Sequence, residues 1–305
     1  MKKILIAVVL LAAVGAGVYF FLNRSAAPAA VAPAAPEPVA TSTVPAATTT
    51  VAVNEKETVI GKSAGGRDIV AYHYGASSAS TTAELLLVGG IHGGYSWNTA
   101  AVAYEAMAYL DETSAAIPEG TRVTVVPVLN PDGLSKVVTD ISPFSKDDVK
   151  ASEAVRVASR FNGNNVDLNR NFDCDWQQKG TWQSKTVDGG EAAFSEPESQ
   201  AIKSYVEAHD IAGAIVWYSS AGGVFASNCH DGVLPETASL VKTYSAASGY
   251  AAHEEFDFYE VTGDLTNWLA KRGTPAISVL LTTHEDTEWS KNQKGIAAVL
   301  ASFAE

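Results

Sequence analysis

Four short apolar runs limit what this chain can fold into: Leu85–Ile91, Val123–Leu129, Ala214–Trp217 and Ala276–Leu281. None shows the strict polar alternation of a strand with one wet face, so each reads as a strand covered on both sides. Helical patterns lie between them. Asn98 can cap a helix running to about Leu110. Ser195-Glu196-Pro197-Glu198 reads as an N-cap, then proline and acids in the first turn, of a helix to about His209. Thr262–Lys271 and Lys291–Phe303 are further candidates. Strands alternating with helices predict an α/β sandwich with a mixed, largely parallel sheet and helices on both faces. Ligands of such sheets bind beyond the carboxyl ends of the strands. His92, Asn130-Pro131-Asp132-Gly133, Tyr218 and Leu280 each fall at or just after a predicted strand end, which places them on one rim.

The two ends of the chain differ in kind. Met1-Lys2-Lys3 precedes nineteen uncharged, mostly apolar residues, Ile4 to Leu22, followed by Asn23-Arg24. As a helix this run would span about 28 Å, close to the hydrocarbon core of a bilayer. It is longer than the usual apolar region of a cleaved signal peptide and ends in aromatics, so residues 1–24 read as a retained signal-anchor, one transmembrane helix. Its lysines would stay inside, which places the remaining chain outside the cytoplasm, periplasmic or at the cell surface. Residues 25–52 are almost wholly Ala, Pro, Val, Thr and Ser, a composition that buries no core and reads as a semi-extended linker. Residues 53–305 suit one large domain.

A net charge of −13 argues against nucleic acid as a partner, which would need basic clusters. The two cysteines, Cys174 and Cys229, suggest one disulfide in an exported chain. Closing that loop would contribute about 3–4 kcal/mol by chain entropy. Two buried free thiols are the alternative.

Several motifs follow one another in a fixed order. They are Gly61-Lys62-Ser63…Gly66-Arg67-Asp68-Ile69, Gly90-Ile91-His92-Gly93 and Asn130-Pro131-Asp132-Gly133. After them come Arg160-Phe161-Asn162…Asn165-Val166-Asp167-Leu168-Asn169-Arg170-Asn171-Phe172, then Phe194-Ser195-Glu196-Pro197-Glu198, then Tyr259…Gly263…Asn267-Trp268. In this order they resemble the M14 zinc carboxypeptidases over nearly all of residues 58 to 303. A lone His-Gly-Gly would say little; the Val-Asp-Leu-Asn-Arg-Asn-Phe string is highly specific. The resemblance implies that Asn169 and Arg170 grip the free carboxylate at a peptide's C-terminus, where a guanidinium fork matches a carboxylate bidentately. It implies that Arg160 polarises a scissile carbonyl and steadies the oxyanion, with Arg156 a competing candidate. Tyr259 matches the tyrosine that folds over bound substrate, although a tyrosine beside Phe256 and Phe258 suits packing equally.

The family binds zinc through His, Glu and a later His, and activates water with a further Glu. Of these, His92 is the metal-ligand candidate that remains. The second ligand position reads Ser96, or Tyr95 by strict spacing; no carboxylate occurs before Glu105. The third reads Tyr218, and the general-base position reads Leu280. One histidine does not hold zinc tightly, so no cofactor is expected where the family has zinc. His230, His253 and His284 read as solvated loop residues.

Three functions fit this pattern. One is a non-catalytic relative (a pseudoenzyme) that still binds peptide C-termini, with cell-wall peptides as partners in keeping with its location. Another is an active zinc carboxypeptidase with an atypical metal site. The last is an extracytoplasmic scaffold with no peptide ligand.

Overall fold

The computed structural model describes residues 56–304, so the predicted anchor and linker lie outside the described residues. Among the described residues no helix is long and apolar enough to cross a membrane. Ten strands form among the described residues: β1 (Glu57–Lys62), β2 (Asp68–Gly75), β3 (Ala83–Val88), β4 (Thr121–Val126), β5 (Lys179–Trp182), β6 (Lys185–Asp188), β7 (Ile211–Ser219), β8 (Gly223–Ala226), β9 (Ala252–His253) and β10 (Ala276–Leu281). Eight of them make one sheet in the order β1-β2-β4-β3-β7-β10-β8-β9, while β5 and β6 form a separate hairpin.

The four apolar runs occupy the middle of the sheet as the parallel strands β4, β3, β7 and β10. Antiparallel pairings flank them, β2 against β4 on one side and β8 against β10 on the other. Successive side chains of a strand point to opposite faces, and both faces here are apolar. Leu86, Val88, Ala214 and Val216 pack on one face, while Leu85, Leu87, Ile215, Trp217, Ile277 and Val279 pack on the other.

Seven α-helices are present among the described residues: α1 (Trp97–Glu112), α2 (Pro131–Leu134), α3 (Glu153–Ala158), α4 (Pro197–Ala208), α5 (Pro235–Ser248), α6 (Leu265–Lys271) and α7 (Trp289–Ser302). Ile202 and Tyr205 of α4, with Trp268 and Leu269 of α6, cover the first face. Val102 and Ala106 of α1, Tyr244 of α5 and Val299 of α7 cover the second. The fold is a mixed α/β sandwich with a mostly parallel core, in agreement with the pattern of the runs.

The helix starts depart from expectation, and each departure has a local reason. Ser96, not Asn98, is the N-cap of α1, and its side chain makes no capping bond. The Asn98 amide instead donates to the carbonyls of Thr283 and Asp286, 2.8 and 2.9 Å away, pinning that loop to the sheet's rim. Helix α4 begins at Pro197 with Glu196 as N-cap, while the Ser195 hydroxyl donates to the Glu196 carboxylate. Helix α6 begins three residues later than Thr262 because the Asp264 side chain accepts from Asn267 N and so sets the N-terminus. Cys174 and Cys229 are joined in a disulfide with a Cα separation of 6.1 Å, within the usual span of such bonds.

Candidate functional site

The carboxyl ends of the parallel strands open into a cavity of about 460 Å³, inside the size range of small-ligand sites. His92, on the loop after β3, lies in its wall, with Tyr218 at the end of β7 and Leu280 near the end of β10. Tyr218 and Leu280 are register partners, so the two strands set these side chains next to each other. The His92 loop can turn this tightly because Gly93 takes a φ of +47°, and a Cβ there would sit 2.5 Å from the Ser159 carbonyl. Asn130 does not line the cavity. It caps Gly133 and donates to the Arg160 carbonyl at 3.1 Å, which fixes the backbone from which Arg160 projects.

The Asn-Arg string forms a short turn, Leu168–Arg170, capped by the Asp167 carboxylate accepting from Asn169 N. Arg170 is 1 % exposed yet lines the cavity. Its guanidinium donates from Nε and Nη2 to the Thr181 carbonyl and from Nη1 to the Asn169 carbonyl. Every one of these acceptors is neutral, and among the described residues no carboxylate pairs with it. A guanidinium has five N–H groups, so one on each terminal nitrogen is left for a ligand. The Asn169 side-chain oxygen Oδ1 accepts from the Tyr218 hydroxyl at 3.2 Å and from Leu265 N at 3.3 Å. Its amide nitrogen is thereby the end left to donate. Gly263, with φ +66°, packs against the backbone of the Asn-Arg turn: its N–H bonds the Cys174 carbonyl, its carbonyl accepts from Phe172 N, and a Cβ would strike the Arg170 carbonyl at 2.5 Å.

Arg160 is buried and bonded to Asp167, from Nε and Nη2 to the same carboxylate oxygen at 2.9 Å. Its guanidinium lies 4.4 Å from the Trp182 ring centre and 5.9 Å from that of Tyr95, a cation set against a pair of aromatic rings in edge contact with each other. Burial lowers its pKa, and Asp167 opposes that shift. Arg156 does not line the cavity; it pairs with Glu153 and Glu285 at the surface. Tyr259 lines the cavity mouth, edge-on to Phe256 with ring centres 5.0 Å apart.

The donors at the centre do not fit a zinc ion. His92 has no hydrogen-bond partner on either ring nitrogen, and its nearest carboxylate oxygen, on Asp167, is 3.9 Å away. Burial first, then Arg160 and Arg170, hold its imidazole neutral. Tyr218 is buried, which pushes its phenol well above the ordinary value and keeps it protonated, a poor metal ligand. Leu280 offers only methyl groups. Ser96 is fully buried at the start of α1 and does not line the cavity, whereas Tyr95 does. Among the described residues, one group of three metal-type donors lies close together, Cys174, Asp175 and Cys229, and its two sulfurs are in the disulfide.

Two histidines expected in solvent are packed instead. His253 stacks on Phe225 with ring centres 4.3 Å apart, while His230 stays exposed and pairs with Asp175. His284 lies against Tyr95 and bonds the Ser219 hydroxyl at 2.9 Å. Burial, then Arg156 and Arg160, lower its pKa to about 4. An unfolded imidazole titrates near 6.5, so the folded chain holds neutral His284 more firmly than the unfolded chain does. That stabilisation is present above about pH 6.5 and is lost as pH falls towards 4. The thermal midpoint should therefore drop across this window, and His284→Gln should shrink the drop. An equal drop in both proteins would show that His284 is not held neutral.

Among the contributors to the cavity that sequence reading missed are Trp182, Asn228 and Asp264. Asp264 had a usable signal, since an aspartate after Gly263 and before the helical Leu265-Thr266-Asn267 is an N-cap pattern. Trp182 stands on a hairpin with no strong turn dipeptide, and nothing local marks Asn228.

Comparison with known proteins places this geometry. A family model described as zinc carboxypeptidase, Peptidase M14, matches residues 54–288. The fold is similar to that of the murein-tripeptide amidase MpaA from Escherichia coli O157, with a TM-score of 0.54 and 18% identity over 82% of this chain and 92% of that one. It is also similar to carboxypeptidase A from Helicoverpa armigera, with a TM-score of 0.60 and 20% identity over 81% of this chain and 68% of that one. Gamma-D-glutamyl-L-diamino acid endopeptidase 1 of Lysinibacillus sphaericus is 25% identical over 150 residues. Those residues are 46% of this chain and 37% of that protein, so the match spans little more than a third of the relative's length. With the family model matched over residues 54–288, a stretch that holds the central sheet and the Asn-Arg turn, the chain belongs to the zinc carboxypeptidase family.

Proposed function

We propose that this domain binds peptides by a free C-terminal carboxylate and does not hydrolyse them. The observation that carries this reading is Arg170, a buried cation on the cavity wall whose bonds all go to neutral carbonyls. Burying a charge with no directly ion-paired carboxylate is costly; Asp264 lies within electrostatic reach but does not bond it, and an anionic ligand would offset that cost. Asn169 supports the same reading through the amide nitrogen that its two accepted bonds leave over. Tyr218 stands where the family has a metal-binding histidine, and here its hydroxyl steadies the carboxylate-gripping asparagine.

Hydrolysis would need an activated water and a base to take its proton. Leu280 and Tyr218 supply neither, and His92 alone is too few donors for tight zinc. In this reading Arg160, locked to Asp167, is a structural cation of the wall that also faces bound peptide. The anchor at residues 1–24 would hold the domain outside the cytoplasm. There, cell-wall peptides of the kind named for the relatives from E. coli and L. sphaericus would be within reach.

The purified chain should carry no stoichiometric zinc and should show no turnover of blocked dipeptides or longer peptides, with or without added zinc. About one tightly held zinc per chain, or clear metal-dependent hydrolysis, would instead support an active enzyme with a rearranged site.

A further inference from the structure

The cavity wall carries an imidazole with nothing bonded to it. His92 is 5 % exposed, and neither of its ring nitrogens has a hydrogen-bond partner. Its ring lies against that of Tyr218, with centres 5.6 Å apart, and Leu280 sits beside Tyr218 in the β7–β10 register. A polar atom left unmet in such surroundings is costly, because nothing replaces the water it gave up. In the family a zinc ion would meet one of these nitrogens. Here the donors do not fit that ion, so the nitrogen needs a different partner.

What that partner must offer follows from the neighbour on the other nitrogen. A neutral imidazole has one N–H and one bare nitrogen. Nε2 is the nitrogen on the Asp167 side, 3.9 Å from Oδ1 of a carboxylate that can only accept. That carboxylate is fixed, with Oδ2 taking Arg160 and Oδ1 taking the Asn169 N–H. Its charge favours the proton on Nε2, which leaves Nδ1 bare. Nδ1 is then a buried acceptor for which the protein has no donor. The same Asp167 Oδ1 that faces His92 holds the Asn169 backbone at 3.1 Å, so the imidazole and the carboxylate grip are neighbours across one oxygen. In a ligand held by its terminal carboxylate, the α-nitrogen is two bonds from the carboxylate carbon. In a peptide that nitrogen carries a hydrogen.

We infer that His92 has become a specificity residue, its Nδ1 accepting the N–H of the ligand's last peptide bond while Asn169 and Arg170 hold the terminal carboxylate. This rests on the carboxylate-binding reading and narrows it to a ligand class: chains joined to their last residue by an amide that bears a hydrogen, as against chains that end in a hydroxy-acid ester. An ester oxygen at that place would set lone pair against lone pair. Discrimination is large because the acceptor is buried, and a wrong ligand leaves it unmet. The histidine kept from the metal set thereby reads the ligand directly.

The test titrates the full chain, in excess chelator, with two acetylated peptide acids that differ only in the last linkage, amide in one and ester in the other. The first is also used with its C-terminus amidated. The amide-linked acid should bind at least about fivefold more tightly than the ester-linked acid, the value of one neutral hydrogen bond to a buried group. In His92→Leu, which removes both ring nitrogens, that ratio should shrink to about twofold or less. Nitrogen NMR of isotope-labelled histidine adds a readout on the unmodified chain: the His92 Nδ1 signal should be that of a bare nitrogen and should move with the amide-linked acid more than with the ester-linked one. Equal affinity of the two acids would overturn the assignment and leave carboxylate binding standing. So would a His92→Leu variant that keeps its thermal midpoint and the full ratio, or an Nδ1 that carries the proton in the complex. If neither acid binds, or the amidated peptide binds as well as its acid, both readings fall. The NMR comparison decides the matter even if the variant does not fold.

Discussion

Replacing Asp167 with alanine is expected to lower the unfolding free energy by about 3–5 kcal/mol, the cost of leaving one partner of a buried ion pair alone. Asp167 is fully buried and meets Arg160 through both Nε and Nη2 at 2.9 Å. Its other oxygen accepts from Asn169 N at 3.1 Å and so starts the turn that carries Arg170. The alanine variant loses the cap and strands a guanidinium that is 2 % exposed among aromatic rings. Arg160→Met in the same chain should recover a large part of the loss, since the stranded charge is then gone. Urea unfolding of the single and double variants measures both steps. A loss below about 1 kcal/mol in the single variant would mean that Arg160 reaches solvent, and that the wall is not closed around it.

Arg170→Ala is the second large effect, and it falls on binding. Affinity for a free-acid peptide should drop by about 1.5–3 kcal/mol, or roughly 10- to 150-fold, the range for a hydrogen bond to a charged partner. Amidating the peptide should cost a similar amount. The two changes remove the same contact, so together they should cost less than their sum. Calorimetric titration of all four combinations gives the coupling. Additive losses would mean that Arg170 and the terminal carboxylate do not meet.

The parts of the fold legible in the sequence were those fixed by local pattern. The four apolar runs became the central parallel strands because each is buried on two faces, and two-sided burial writes itself into composition. Boundaries were less legible. The helix at residue 97 starts where the His92 loop ends, and Asn98 spends its amide on Thr283 and Asp286, partners about 185 residues away. No window around Asn98 contains that information.

The site divides the same way. Asn169, Arg170 and Asp167 lie within four residues of each other, and the motif announces them together. Trp182, which stacks on Arg160, comes from a hairpin with no motif of its own. His284 looked like a loop residue because its neighbours Glu285 and Asp286 are polar, yet Tyr95 and Ser219 from distant elements enclose it. That Tyr218 stands at a strand end was legible, while the use made of its hydroxyl was not. That Tyr218 bonds Asn169 follows only from the placement of β7 beside the Asn-Arg turn.

The most direct measurement is calorimetric titration of the full chain, in excess chelator, with one peptide as free acid and as amide. A carboxylate site independent of zinc gives binding of the acid that chelator does not change, and an amide weaker by about tenfold or more. Acid binding that disappears with chelator would contradict the reading, because it would place a metal at the centre of recognition. Acid and amide that bind alike, or not at all, would contradict it from the other side, leaving Arg170 a relic in an unused pocket.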